Sequence, residues 1–155
     1  MRFTILLLIT IVAFSGCKKD KFTTEPQLTF KKFVPNQGDN HQNQTNQPHL
    51  ILELTDANGD VGFNAGKDTS KVYIRNILTN KLDSFLLPNL SSAAGKNFKG
   101  DLQLGLFSVM GGRNLPSTQR PYVDTLHFEV YVTDFAKHKS NVLVTTEPFY
   151  YFTLP

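Results

Sequence analysis

The chain has 155 residues, 40% of them hydrophobic and 19% charged, with a formal net charge of +3. That length fits one domain rather than two, and the apolar fraction excludes a disordered chain. A single Cys excludes internal disulfides and any Cys-rich zinc or iron–sulfur site, while thirteen Phe and five Tyr against two Met and no Trp lean toward strands.

The chain opens with Arg2, an apolar run from Phe3 to Phe14, and then Ser15-Gly16-Cys17. A short charged start, about a dozen apolar residues and small residues before a break are the parts of a secretory signal. A membrane span needs ~20 apolar residues, and Lys18-Lys19-Asp20-Lys21 ends the run well short of that. Phe14-Ser15-Gly16-Cys17 resembles a bacterial lipobox, departing from it at Phe14, where Leu is usual. The resemblance implies a signal peptide at 1–16, cleavage before a lipid-modified Cys17, and a mature chain anchored to a membrane. Cys17 has no other cysteine to pair with, and an acylated thiol avoids the liability of a free one in an oxidising envelope. Residues 17–26 then read as a flexible tether and 27–155 as one domain. The basic excess belongs to the tether side, in Lys18, Lys19, Lys21, Lys31 and Lys32. From Phe33 onward ten basic residues face eleven acidic ones, which excludes the basic footprint of a nucleic-acid-binding body. The tether lysines are placed to lie near anionic head groups.

Gln27–Val34 is expected as the first strand. The Asn/Gln-rich stretch from Pro35 to Pro48 has no apolar residue to contribute to a core and is expected as a mobile loop. Beyond it a period of two recurs. Leu50, Leu52 and Leu54 alternate with Ile51 and Glu53, and Val72 and Ile74 with Tyr73 and Arg75. Leu82–Leu87 adds a strand, Leu102, Leu104 and Leu106 alternate with Gln103, Gly105 and Phe107, and Leu126, Phe128, Val130 and Val132 alternate with His127, Glu129, Tyr131 and Thr133. That is the pattern of half-buried antiparallel strands. Asn141–Thr145 and Phe149–Leu154 complete the set, the second apolar on both faces and expected to be covered on both sides. The best helix candidate is one turn at Leu90–Ala94, closed by Gly95. About seven short strands with turn signals between them predict an all-β, antiparallel sandwich of immunoglobulin-like architecture, with a small barrel as the alternative.

Two loops carry candidate chemistry. Asp56, Asn58 and Asp60 stand at alternate positions, the spacing with which a tight loop offers oxygens to calcium. An EF-hand needs Gly at the sixth position and Glu at the twelfth; Val61 and Lys67 stand there, so that motif is excluded. Asn58-Gly59 between apolar runs is a preferred hairpin turn, with Asp capping its amides, and the plain turn is the favoured reading. A calcium site would draw further oxygens from elsewhere, Asp68 and Asp134 being nearest by type. The second loop, Thr133–Asn141, reads as a solvated hairpin connection. Gly111-Gly112-Arg113 lacks the strand–loop–helix context of a phosphate cradle and reads as a flexible turn. The four histidines, His41, His49, His127 and His138, have no zinc spacing. Glu53 and Glu129 fall on outward faces and could adjoin each other, two carboxylates for acid/base work on a glycan.

The Cys17-Lys18-Lys19-Asp20 start, the Asp56-Ala57-Asn58-Gly59-Asp60-Val61-Gly62 turn and the late Asp134-Phe135-Ala136-Lys137-His138-Lys139-Ser140-Asn141 turn together resemble uncharacterised lipoproteins of Bacteroidetes bacteria. In such chains the middle turn usually reads Asp-Gly-Asp-Gly-Asp-Ile-Gly, so Ala57 and Asn58 replace a Gly and an acidic ligand. Asp124-Thr125-Leu126 resembles the O-glycosylation site of those bacteria. The resemblance implies an outer-membrane lipoprotein, periplasmic or surface-exposed, with no reaction attached. The expected function is a non-enzymatic module that binds or scaffolds an envelope protein or glycan. A calcium-stabilised adhesin-like module and a glycan-acting enzyme are the alternatives.

Overall fold

A computed structural model describes residues 21–64, 68–90 and 95–155. The expected signal segment and Cys17 lie outside these residues, as does most of the expected helical turn at Leu90–Ala94. The chain is an all-β sandwich with no closed barrel. Among the described residues, twelve short strands replace the expected seven or so: β1 (Gln27–Val34), β2 (Gln37–Asp39), β3 (His49–Asp56), β4 (Phe63–Asn64), β5 (Asp68–Thr69), β6 (Lys71–Asn76), β7 (Leu82–Leu86), β8 (Phe98–Gly105), β9 (Tyr122–Leu126), β10 (Phe128–Thr133), β11 (Leu143–Val144) and β12 (Phe149–Thr153).

They form sheets ordered β1-β3-β8, β11-β10-β6-β7 and β2-β12-β9, with a small β4-β5 hairpin. All pairings are antiparallel except that of β2 with β12. The first two sheets contribute their inward rows, Leu50, Leu52 and Leu54 from β3 against Val72, Ile74, Phe128, Val130 and Val132 from β6 and β10, to a single core. Leu126 and Phe149 from the third sheet join the same core. Each such side chain contributes about 1.5–3 kcal/mol on burial. At the centre Phe33, Phe128 and Phe149 meet edge to face, with centroids 5.4–6.1 Å apart, the arrangement that the ring quadrupole favours.

Several local expectations are corrected. The row from Leu126 to Val132 is not one strand. The chain changes sheets at His127, so Leu126 pairs with Phe149 while Phe128 pairs with Asn76. The inward alternation is unbroken because both sheets face one core. The Asn/Gln-rich stretch contains β2, whose Gly38 pairs with Tyr151, and its polar side chains hold its own backbone: Asn43 Oδ1 accepts from the Thr45 N–H at 2.8 Å and Asn46 Oδ1 from the Asn43 N–H at 2.8 Å. It needs no apolar residue, because its backbone is bonded rather than packed. β12 is covered on one face alone: Phe149 is buried, whereas Tyr150 and Phe152 are exposed beside Val123. Residues 21–26, read as tether, run against the body, where the Thr23 carbonyl accepts from the Ala57 N–H at 2.9 Å.

Candidate metal centre

The inward row of β3 does not stop at Leu54; the next inward position is Asp56, fully buried. The inward row of β10, Phe128, Val130 and Val132, continues in the same way to Asp134, also fully buried. Strand registers put both at the same end of the sandwich, where Gln27 faces Thr55 and residues 21–26 arrive. Asp60 joins them from the turn after β3, and the carboxylates of Asp56, Asp60 and Asp134 each offer an oxygen within 4.8 Å of the others.

The turns around these groups are built to present them. Asp56 Oδ1 accepts from the Gly59 N–H, an Asx turn that fixes the carboxylate. Gly59 has φ +68°, and a Cβ there would meet the Gly95 carbonyl oxygen at 2.2 Å, so no other residue fits. Asp134 closes the second turn, accepting from the His138 N–H at 2.7 Å and from His138 Nδ1 at 2.8 Å. The Phe135 N–H donates to the Asp60 carbonyl at 2.9 Å and ties the two turns together. Two oxygens remain over: Asp56 Oδ2 and Asp60 Oδ1 are buried and have no hydrogen-bond partner among the described residues.

Electrostatics make the arrangement costly as it stands. Burial pushes the Asp56 carboxyl up to about 6, opposed by its bond to Gly59 and reinforced by the neighbouring Asp60 and Asp134 charges. Asp60 is raised by burial and by Asp134. His138 is raised by its bond to Asp134, and among the described residues it is the basic group ion-paired with the cluster. Burying unpaired carboxylates costs several kcal/mol each unless they are protonated or matched by a cation. An all-oxygen set of this kind is the donor chemistry of a hard divalent ion such as calcium, and the two orphaned oxygens supply unspent acceptors for one.

Of the residues the sequence singled out, Asp56 and Asp60 are thus brought together with Asp134. Asn58 is exposed on the outside of the turn. The Thr133–Asn141 loop is not merely a solvated connection, since it delivers Asp134. Glu53 and Glu129 are not adjacent: they lie on the outer faces of different sheets, paired with Lys99 at 2.9 Å and Arg75 at 2.7 Å. The Glu53–Glu129 pair on which the glycan-acting alternative depends is therefore not assembled. Gly111-Gly112-Arg113 is not a free turn either, because it packs on Asp124, buried in β9. The Arg113 N–H and Nε donate to the Asp124 carboxylate at 2.7 and 2.5 Å. Sequence reasoning met Asp124 only within the Asp124-Thr125-Leu126 resemblance and passed over Arg120; the Arg113–Asp124 pairing joins a loop to a strand with no periodic signal.

No family model matches the chain, and no curated protein does. Among solved structures, the chain is similar to a β-glucosidase from Kluyveromyces marxianus, in complex with glucose, at 13% identity and a TM-score of 0.30. The match covers 84% of this chain and 15% of that one.

Proposed function

We propose that the chain is a lipid-anchored, non-enzymatic module of the bacterial cell envelope. Calcium holds its tether-proximal end, and its body binds or scaffolds another envelope component. The observation that carries the calcium role is the meeting of Asp56, Asp60 and Asp134, with Asp56 Oδ2 and Asp60 Oδ1 buried and unpartnered. Calcium supplies charge compensation there, and the turns it would join are also those that receive the tether, through the Ala57–Thr23 hydrogen bond. The lipid anchor is inferred from Phe14-Ser15-Gly16-Cys17 and the envelope location from the anchor.

Thermal melts of the full chain in calcium and in chelator test the calcium role. An ion at a hundredfold its dissociation constant adds ~2.7 kcal/mol, which for a domain of this size raises Tm by on the order of ten degrees. The rise should vanish in Asp134→Asn. Superimposable melts of the native chain in the two conditions would sink the calcium role. The anchor is tested separately by incorporation of labelled palmitate, which Cys17→Ser should abolish; an unlabelled native chain would remove the anchor.

A further inference from the structure

At the end of the sandwich opposite the carboxylates lies a polar cleft of about 220 Å³, lined by Asn40, Arg113, Arg120, Tyr122, Tyr151 and Thr153 and by the backbone of Gly111 and Gly112. The strand registers fix its location. Asn76 stands at the far end of β6 from Lys71, which pairs with Thr133 beside Asp134. The Asn76 side-chain amide reaches the carbonyls of Val109 and Gly111 at 3.0 Å each, so the Gly111–Asn114 loop belongs to the distal end.

The two arginines of the cleft differ in what they have to spend. Arg113 is matched by the buried Asp124, and the contact is close enough that a Cβ on Gly112 would meet Asp124 Oδ2 at 2.0 Å. Arg120 has no ion-pair partner among the described residues, and its Nε is buried without an acceptor. A guanidinium without an ion-pair partner on the wall of an open polar cleft can pair with an anionic ligand. The walls are aromatic. Tyr122 is fixed by donating its hydroxyl to the Arg113 carbonyl, and the half-buried Tyr151 lies diagonally from it on the same face of the sheet, its hydroxyl pKa raised by burial and by the Asp39 charge. Asp39, itself accepting from the His41 N–H, tempers the positive field from the β2 side.

We propose that this distal cleft binds the carboxylate of an acidic sugar residue, with Arg120 as the charge partner and Tyr122 and Tyr151 together as the ring-facing side. One unmatched guanidinium suits one planar carboxylate, which it takes in a bidentate pair. A phosphate dianion would call for more than the single unmatched cation. The volume lies below the ~300–1,000 Å³ typical of drug-sized ligands, which fits a single residue rather than a longer segment. The location is independent of calcium, which belongs to the other end.

Calorimetric titration of the full chain with D-glucuronate, D-glucose and inorganic phosphate tests the assignment. Saturable binding of glucuronate, undetectable binding of glucose and at least a tenfold loss in Arg120→Ala are expected, with Arg120→Lys recovering part of the loss. A melt of each variant matching the native chain shows that the fold is retained. Absence of glucuronate binding to the native chain overturns the proposal. So does unchanged affinity in Arg120→Ala, equal binding of glucose, or phosphate competing as well as glucuronate.

Discussion

The side-chain amide of Asn141 holds both backbone groups of Leu28, accepting from its N–H at 2.7 Å and donating to its carbonyl at 2.9 Å. Leu28 lies on β1, an edge strand, and Asn141 follows the turn after β10, so the amide acts as one rung of a ladder between the two sheets. An open sheet edge is a site for unwanted pairing, and here a side chain occupies part of it. Asn141→Ala removes both bonds and should destabilise the fold by about 1–3 kcal/mol. Hydrogen exchange at the Leu28 amide should accelerate selectively, because the rest of β1 remains paired with β3. An unchanged Leu28 rate would deny the amide this role.

Phe128 and Phe152 make opposite cases for what an aromatic does here. Phe128 is fully buried against Phe33 and Phe149, whereas Phe152 is 39% exposed on the outer face of β12. Phe128→Ala should cost about 3–5 kcal/mol, and Phe152→Ala should stay within about 0.5 kcal/mol. Urea denaturation of the two variants separates these outcomes. A large loss in Phe152→Ala would mean that the outer face of β12 is covered after all.

How much of this was legible depends on whether a feature is periodic. The alternation at Leu50–Leu54 and Leu126–Val132 gave the sandwich, and it also reached the site: extending each row by one step lands on Asp56 and Asp134, both inward. What alternation could not give was that the two rows end at the same level, since register is set by pairing across the sheets. Nor could it show the sheet change at His127, where the chain turns without breaking the pattern. In β1 the inward residues pass from Leu28 and Phe30 to Phe33, which a strict period of two forbids. A bulge at Lys31 absorbs the odd residue and sends its ammonium to Asp101 at 2.8 Å. The Arg113–Asp124 pair joins two segments that share no repeat at all.

Glu53 and Glu129 should be close to neutral when altered. Each sits on an outer face in an ion pair whose partners are 24–54% exposed, and such pairs contribute roughly 0–1 kcal/mol. Glu53→Gln and Glu129→Gln should each shift stability by less than about 1 kcal/mol, and the double variant by their sum, since the two have no shared partner. Non-additivity in a double-mutant cycle would show that the two carboxylates communicate, and would revive a joint role for them.

The carboxylate end should give the calcium-free protein an inverted pH response. Asp56 is raised from 3.8 to about 6, so between these values the folded state holds more protons than the unfolded chain, and stability falls as pH rises. The contribution is fully present below about pH 4 and lost as pH passes 6. His138, raised above 6.5 by Asp134, acts with the same sign in a higher window: its contribution holds below 6.5 and fades as pH climbs through the raised value. In chelator, the difference in Tm between the native chain and Asp56→Asn should therefore change steadily across pH 4–6, with the native chain losing ground. Calcium needs the ionised carboxylates, so the shift it produces should be small at pH 5 and full by pH 7. Parallel pH profiles for the native chain and Asp56→Asn would place the Asp56 proton outside the folding equilibrium, and a calcium shift independent of pH would place the ion elsewhere.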